Sequence, residues 1–171
     1  TKLPHKLVFL RLRSCGQVAS AIRTMKIRGA PLIGAAAAYG LALTAYHSGA
    51  SSGRELLRQV RRCADLLRAT RPTGVKLFWA VDRVIGRTSE FSSSSVRQLR
   101  RVVVDEAEKI ADEDAEANRR IGEFGSALVA NGDTVLTHCN AGALATVEYG
   151  TALGVIRAAW RRGKRIRVIA T

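Results

Sequence analysis

Apolar residues recur every three or four positions through most of residues 1–128, the spacing of helices with one buried face. Ser14 precedes the first such stretch and is a suitable N-cap. The predicted helices cover residues 15–25, 33–46, 54–69, 76–86 and 96–124, the last stretch being one long helix or two. A weaker alternation at 6–13 predicts a short strand ahead of the helices.

The pattern changes at the turn signal formed by Asn131, Gly132 and Asp133. A β-branched strand at 134–138, a helix at 144–162 and a second strand at 165–170 are predicted after it, which together make a βαβ unit of a parallel sheet. The predicted fold class is therefore α/β. A mainly helical N-terminal domain at 1–128 would be followed at 129–171 by the start of a parallel-sheet domain, left incomplete.

Composition narrows the possible partners. The chain has 171 residues, 47% of them hydrophobic and 25% charged, which excludes general disorder. The longest apolar run, 30–45, contains Pro31 and two glycines and is too short for a membrane span. The net charge of +14 attracts polyanions. The arginine pairs are scattered and lack interleaved aromatics, so nucleic acid is not the expected partner. An RNA-binding alternative would predict affinity that falls steeply with salt.

The three cysteines are far apart and lack the spacing of a zinc site. Their odd number and the absence of a signal peptide predict reduced thiols in a cytoplasmic protein. Cys15 and Cys63 lie on apolar helix faces and are assigned to packing. Cys139 lies where the first strand ends and the predicted helix begins, a place where α/β folds bind ligands and where a thiolate is stabilised. A buried structural cysteine is the alternative.

Two basic turns are further candidates. Arg28, Gly29 and Ala30 put a guanidinium beside very small residues, which suits a phosphate or sugar that approaches the backbone; a solvated arginine is the alternative. Arg71 lies on a proline turn with the same two interpretations. His138 is expected to be a hydrogen-bonded packing residue, because its side chain points opposite to that of its neighbour. The loop after the first strand lacks a GxGxxG fingerprint, so no dinucleotide cofactor is predicted.

Several segments resemble the methylthioribose-1-phosphate isomerase family of bacteria. They are residues 25–34 (MKIRGAPLIG), 71–75 (RPTGV) and 136–146 (LTHCNAGALAT), extended by matches at 118–122 and 149–157. The resemblance covers nearly the whole chain, which corresponds to about the first half of a family member.

This resemblance implies a helical N-terminal domain, a Rossmann-like C-terminal domain and a cytoplasmic homodimer. Such an enzyme would convert 5-methylthioribose-1-phosphate to 5-methylthioribulose-1-phosphate in methionine salvage, without a metal or nucleotide cofactor. The family's catalytic cysteine falls on Cys139. Its substrate-binding residues fall on Arg28, Gly29, Ala30 and Arg71. The resemblance implies a small phosphosugar substrate and no membrane partner.

The sequence departs from the family at several points. The family's catalytic aspartate and a substrate lysine lie beyond residue 171, so the 171-residue chain alone is expected to be inactive. Lys76 stands where asparagine is common, and Val147 and Glu148 replace a small pair, with bulk that would crowd the site if it faced inward. Two alternatives are a non-catalytic phosphosugar- or nucleotide-sensing regulatory subunit of a translation-factor exchange complex, and a ribose-1,5-bisphosphate isomerase.

Overall fold

A computed structural model describes residues 5–171. In this range the chain forms six α-helices, a short 3₁₀ turn at Ala143–Ala145 and two strands. The elements are α1 (Cys15–Arg23), α2 (Ala30–His47), α3 (Gly53–Arg68), α4 (Val75–Glu90), α5 (Val96–Leu128), β1 (Thr134–Thr137), α6 (Ala152–Arg161) and β2 (Arg167–Ala170). The five helices predicted in the first part of the chain are confirmed, and the last of them is one helix.

Serine caps begin three of these helices. The hydroxyl oxygens of Ser14, Ser52 and Ser95 each accept a hydrogen bond from the backbone N–H three residues later. The alanine-rich helix α2 lies at the centre and packs against α1, α3, α4 and α5, because its small side chains let the neighbouring helices come close. The result is a single apolar core in which residues such as Leu41 and Leu67 are fully buried.

The strand predicted at 6–13 is wrong. Residues 6–13 have no regular secondary structure, and Phe9 is 86% exposed. The alternation there has no neighbouring strand among the described residues with which to pair. Residues 1–4 of the predicted helical domain lie outside the described residues. The division of the chain into domains at 128 stays a prediction, although α5 does end at Leu128.

The two strands are parallel neighbours, with Thr134 opposite Arg167, and the α/β fold class is confirmed. The helix predicted at 144–162 is wrong in its first half, since α6 begins only at Ala152. The chain instead folds back on itself: the N–H of Thr151 donates to the carbonyl of Ala141 over 3.0 Å. Gly150, at φ +91°, makes this turn possible, because a Cβ there would lie 2.8 Å from the carbonyl carbon of Gly142.

The prediction that all three cysteines are reduced is also wrong. Cys15 at the start of α1 and Cys63 in α3 form a disulfide, with Cα atoms 6.1 Å apart, while Cys139 is free. The two bonded residues are 48 positions apart, so the pairing depends on how α1 packs on α3 and leaves no local signal in the sequence. The argument from reduced thiols to a cytoplasmic location therefore fails. None of the helices in residues 5–171 has the length and apolarity needed to cross a bilayer.

Candidate active-site cleft

A cleft of about 530 Å³ lies where the starts of α2 and α4 face the loop that follows β1. All five residues predicted for the site line it, namely Arg28, Gly29, Ala30, Arg71 and Cys139. The other lining residues are Met25, Pro31, Ile33, Thr73, Gly74, Val75, Lys76, Leu77, Asn140, Ala145, Thr146 and Thr151. Residues from three distant parts of the sequence thus meet in one place.

The turn before α2 carries the first arginine and packs directly on the loop after β1. Gly29 has φ +99°, in the left-handed region that favours glycine. A Cβ at this position would lie 2.5 Å from both the Cα and the Cβ of Ala145, closer than real atoms approach. Only glycine therefore lets the backbone beside Arg28 touch the segment that follows Cys139.

The second arginine lies on a tight turn that leads into α4. The N–H of Gly74 donates to the carbonyl of Arg71 over 2.9 Å, and Pro72 occupies the second position of this turn, where its fixed φ fits. Helix α4 is held beside α2 by a close approach, because a Cβ on Gly34 would lie 2.9 Å from the carbonyl oxygen of Lys76. The half-buried Arg71 thus enters the cleft from the neighbouring helix start.

Cys139 supplies the thiol of the cleft from the opposite side. It is free and exposed, and its φ of +69° is unusual for a residue with a side chain. Its N–H donates to the carbonyl of Thr171 over 3.2 Å, which continues the pairing of β1 with β2. The prediction that an α-helix begins directly after this residue is wrong, since only a 3₁₀ turn follows it and α6 begins at Ala152. Backbone strain of this kind is concentrated at functional sites.

His138 does not face the cleft. Its Nδ1 lies 2.7 Å from the hydroxyl oxygen of Thr171, which confirms the predicted hydrogen bond. The side chain is exposed, however, so the prediction that it packs in a core is wrong. The structure gives no Cys–His pair at this position, in agreement with the opposite directions of successive strand side chains.

The cleft is electrostatically positive. Three cationic residues line it, Arg28, Arg71 and Lys76, and none of the lining residues is an aspartate or glutamate. Helices α2 and α4 also begin here, and their N-cap residues, Gly29 and Gly74, have no side chain that could cap the helix. N–H groups at a helix start favour anions. The arrangement is suited to a ligand with an anionic group, such as a phosphate.

Sequence reasoning missed part of the lining. Thr146 and Thr151 lie in segments that resemble the family but were not predicted as site residues, because a loop that folds back brings them to the cleft. The hydroxyl of Thr146 donates to the carbonyl of Glu148 over 2.8 Å and accepts from the N–H of Gly150 over 3.2 Å, so it holds the loop in shape. The predicted helix concealed this turn.

The substitutions at Val147 and Glu148 do not crowd the cleft, since neither residue lines it. The N–H of Val147 donates to the carboxylate of Asp114 over 2.8 Å. The Glu148 carboxylate pairs with the guanidinium of Arg119 on α5. Both contacts fasten the loop to α5 on the side away from the cleft.

Comparison with known proteins agrees with this fold and cleft. Residues 26–171 match the model of the initiation factor 2 subunit family, and the chain belongs to that family. Over 170 residues it is 45% identical to the methylthioribose-1-phosphate isomerase of Acetivibrio thermocellus, covering 99% of this chain and 50% of that protein. The predicted resemblance is confirmed. The chain spans about half the length of the curated relatives it matches.

Two solved structures are also similar to this chain in fold and sequence. The 5-methylthioribose 1-phosphate isomerase of Pyrococcus horikoshii has a TM-score of 0.91 at 37% identity, over 99% of this chain and 55% of that one. The translation initiation factor eIF-2B subunit delta of Archaeoglobus fulgidus has a TM-score of 0.86 at 46% identity, over 99% of this chain and 49% of that one. The chain is therefore similar both to a protein named as an isomerase and to one named as a translation initiation factor subunit.

Proposed function

We propose that this cleft is one half of the active site of an aldose–ketose isomerase that converts 5-methylthioribose-1-phosphate to 5-methylthioribulose-1-phosphate. The observation that carries the proposal is the meeting of a free thiol, Cys139, with Arg28 and Arg71 in a cleft whose lining has no acidic residue. The 45% identity to an isomerase of that name supports the choice of substrate.

The reaction needs what these residues offer. The phosphate on C1 prevents the sugar ring from opening as an ordinary hemiacetal does. The bond from C1 to the ring oxygen must break as that oxygen takes a proton. The hydrogen on C2 moves to C1, and the C2 hydroxyl loses its proton to become the ketone. No oxidant or reductant is consumed. Cys139 acts as one of the two proton-transfer groups, and the arginines bind the phosphate.

The second proton-transfer group lies outside the described cleft, which has no carboxylate in its lining. The family resemblance assigns it to an aspartate in the half of the relatives that this chain does not cover. The proposal also includes a homodimer that works in the cytoplasm without a metal or nucleotide cofactor.

A chimaera tests the proposal. These 171 residues replace the matching half of the Acetivibrio thermocellus relative, and conversion of the sugar phosphate to the ketose is followed by NMR. We expect turnover, and a loss of about 1,000-fold on Cys139→Ser, because a positioned proton-transfer group contributes rate of this order. His138→Gln is the matched control, since His138 adjoins the thiol but does not line the cleft; its turnover should stay within a few-fold.

Two outcomes would contradict the proposal. One is a chimaera that has the parent's circular dichroism and oligomeric state but no turnover while the parent relative is active. The other is full activity of Cys139→Ser. Ribose-1,5-bisphosphate is tested in parallel. If it is the better substrate, the protein is a ribose-1,5-bisphosphate isomerase instead. The 171-residue chain alone is expected to show no turnover in the same assay.

A second candidate function is a regulatory subunit of translation-factor exchange. The similarity to the eIF-2B subunit delta structure, at 46% identity, favours it. Such a subunit binds a ligand without proton transfer and therefore needs no thiol. It predicts that Cys139→Ser retains ligand binding and cellular function, whereas the isomerase proposal predicts that the same change abolishes turnover.

A further inference from the structure

We infer that Lys76 is a further substrate-binding residue of the cleft, whose ammonium group can exchange a contact with Trp79 for a contact with the phosphate. The inference rests on one part of the proposed function, namely that the cleft binds a phosphate. It adds a third cation to the two arginines already assigned to the cleft.

The backbone of Lys76 is held by packing, whereas its long side chain is exposed. The residue is the second of α4, and its carbonyl oxygen packs against Gly34 of α2, at 2.9 Å from where a Cβ would be. The residue is exposed and lines the cleft together with Arg28 and Arg71. A long flexible stem on a fixed base lets the ammonium group reach different partners without movement of the helix.

The present partner of the ammonium group is a weak one. The Lys76 Nζ lies 4.4 Å from the centroid of the Trp79 ring. Trp79 is 42% exposed, and a cation–π contact at an exposed ring is worth less than a charge-assisted hydrogen bond to a phosphate oxygen. Among the described residues Lys76 forms no ion pair. No carboxylate therefore competes with an incoming phosphate for its charge.

Trp79 keeps a cationic neighbour when Lys76 leaves it. The guanidinium carbon of Arg83 lies 5.3 Å from the same ring, and Arg83 is held in place by Glu106 and Glu113. The exchange therefore does not require rearrangement of the surface of α4. It does change the environment of the Trp79 ring, which gives the movement a spectroscopic signature.

Inorganic phosphate is the probe. It is titrated into the 171-residue chain, and its Kd is read from the backbone amide resonances of Gly29 and Gly74. We expect Lys76→Asn and Lys76→Gln to weaken binding about 10-fold, since each removes one charge-assisted contact. Lys26→Asn is the control: it removes the same charge from the nearby turn, but Lys26 does not line the cleft, and we expect less than a two-fold change.

A second readout follows the ammonium group itself. In a Trp160→Phe background the tryptophan fluorescence reports Trp79 alone. Phosphate should change this fluorescence when Lys76 is present and leave it unchanged in Lys76→Asn. A residue that merely stabilised α4 would not produce this difference, and circular dichroism checks that each variant is folded.

The inference is overturned if both Lys76 variants bind phosphate as tightly as Lys26→Asn while Arg71→Gln binds it more weakly. That result leaves the proposed function intact. Failure of the unmodified chain to bind phosphate would overturn the inference and the phosphate-binding cleft together.

Discussion

The helical region, α1 to α5, and the strand region, from β1 to β2, differ in how much of their apolar surface is buried. The helical region contains a core in which leucines such as Leu67 have no exposed surface. In the strand region every residue of β2 is exposed, and Leu136 of β1 is 68% exposed. Parallel sheets are normally covered on both faces. Among the described residues, the helical region therefore has a complete core, whereas the two-stranded sheet is left largely uncovered.

This difference bears on the cleft, because the two regions supply different chemistry. The helical region holds Arg28 and Arg71 on two helix starts that are packed together through Gly34. The strand region holds Cys139 on a loop fastened by a few hydrogen bonds. The backbone that carries the two arginines is thus held by close packing. The position of the thiol depends on how firmly the loop is held against the helices.

A pair of leucine substitutions tests the comparison most directly. Leu67→Ala should lower the free energy of unfolding by about 4 kcal/mol, because it leaves a cavity in a packed core. Leu136→Ala should lower it by less than about 1 kcal/mol, because this side chain is largely exposed already. Urea denaturation measures both. Equal losses would contradict the view that only the helical region has a completed core.

The disulfide gives the next largest effect. The double variant Cys15→Ala/Cys63→Ala should lose about 3 kcal/mol of unfolding free energy, because the unfolded chain regains the freedom of a long loop. Cys139→Ala in the strand region is the control and should change it little, since this thiol is exposed. Thiol titration of the unfolded chain should find one reactive cysteine before reduction and three afterwards. Three before reduction would refute the disulfide.

The helical region was predictable from sequence because its signals are local. Apolar spacing and serine caps such as Ser14 and Ser52 fix where each helix begins and which face is buried. The strand region was predicted less well. The prediction of a helix from residue 144 is wrong, because the turn at Gly150 is stabilised by contacts with residues 141 and 142. Helix propensity, which is a local property, does not include such contacts. The pairing of Cys15 with Cys63 is likewise a property of tertiary packing.

The candidate site was predicted residue by residue but not as an arrangement. The strand end and the two basic turns made Cys139 and the two arginines candidates, and the family resemblance gave them roles. Neither showed the backbone geometry that brings the three residues together. The contact of Gly29 with Ala145 shows why: it spans more than a hundred residues and depends on a left-handed φ and a missing side chain. Lys76 was noted only as a departure, because its place in the cleft depends on how α4 packs against α2.

Gly29 tests the junction of the two regions. Gly29→Ala should cost about 2 kcal/mol more than Gly132→Ala, because both residues have a left-handed φ but only Gly29 faces a neighbouring backbone. The two φ angles are +99° and +90°, and a Cβ at position 132 would meet no atom within 4 Å. Gly29→Ala should also weaken phosphate binding, whereas Gly132→Ala should not. Equal losses of stability would show that the contact with Ala145 does not hold the loop.

The smallest expected effect compares one ion pair from each region. Arg83 of α4 donates to Glu113 of α5 over 2.9 Å and to Glu106 over 2.6 Å. Hydrogen bonds from Arg83 hold the pKa of Glu113 below its ordinary value. A depressed pKa means that the contribution to stability is complete above the ordinary value of about 4.3 and is lost as the pH falls through the lower pKa of the folded protein. Because Glu113 is 47% exposed, this contribution stays below about 1 kcal/mol.

Glu113→Gln should therefore lower the free energy of unfolding slightly at pH 7. Its difference from the unmodified chain should begin to shrink as the pH falls below about 4.3 and should vanish only once the pH is below the lowered pKa of Glu113 in the folded protein. Glu148→Gln is the matched control from the strand region, since the Glu148 side chain is 46% exposed and pairs with the single guanidinium of Arg119. We expect a smaller loss at pH 7, because Arg83 joins two carboxylates across two packed helices whereas Arg119 fastens only a loop. Urea titrations at a series of pH values measure both. A larger loss for Glu148→Gln would show that the loop carrying the thiol is held more firmly than the two helices, which would reverse the order of rigidity assigned to the two sides of the cleft.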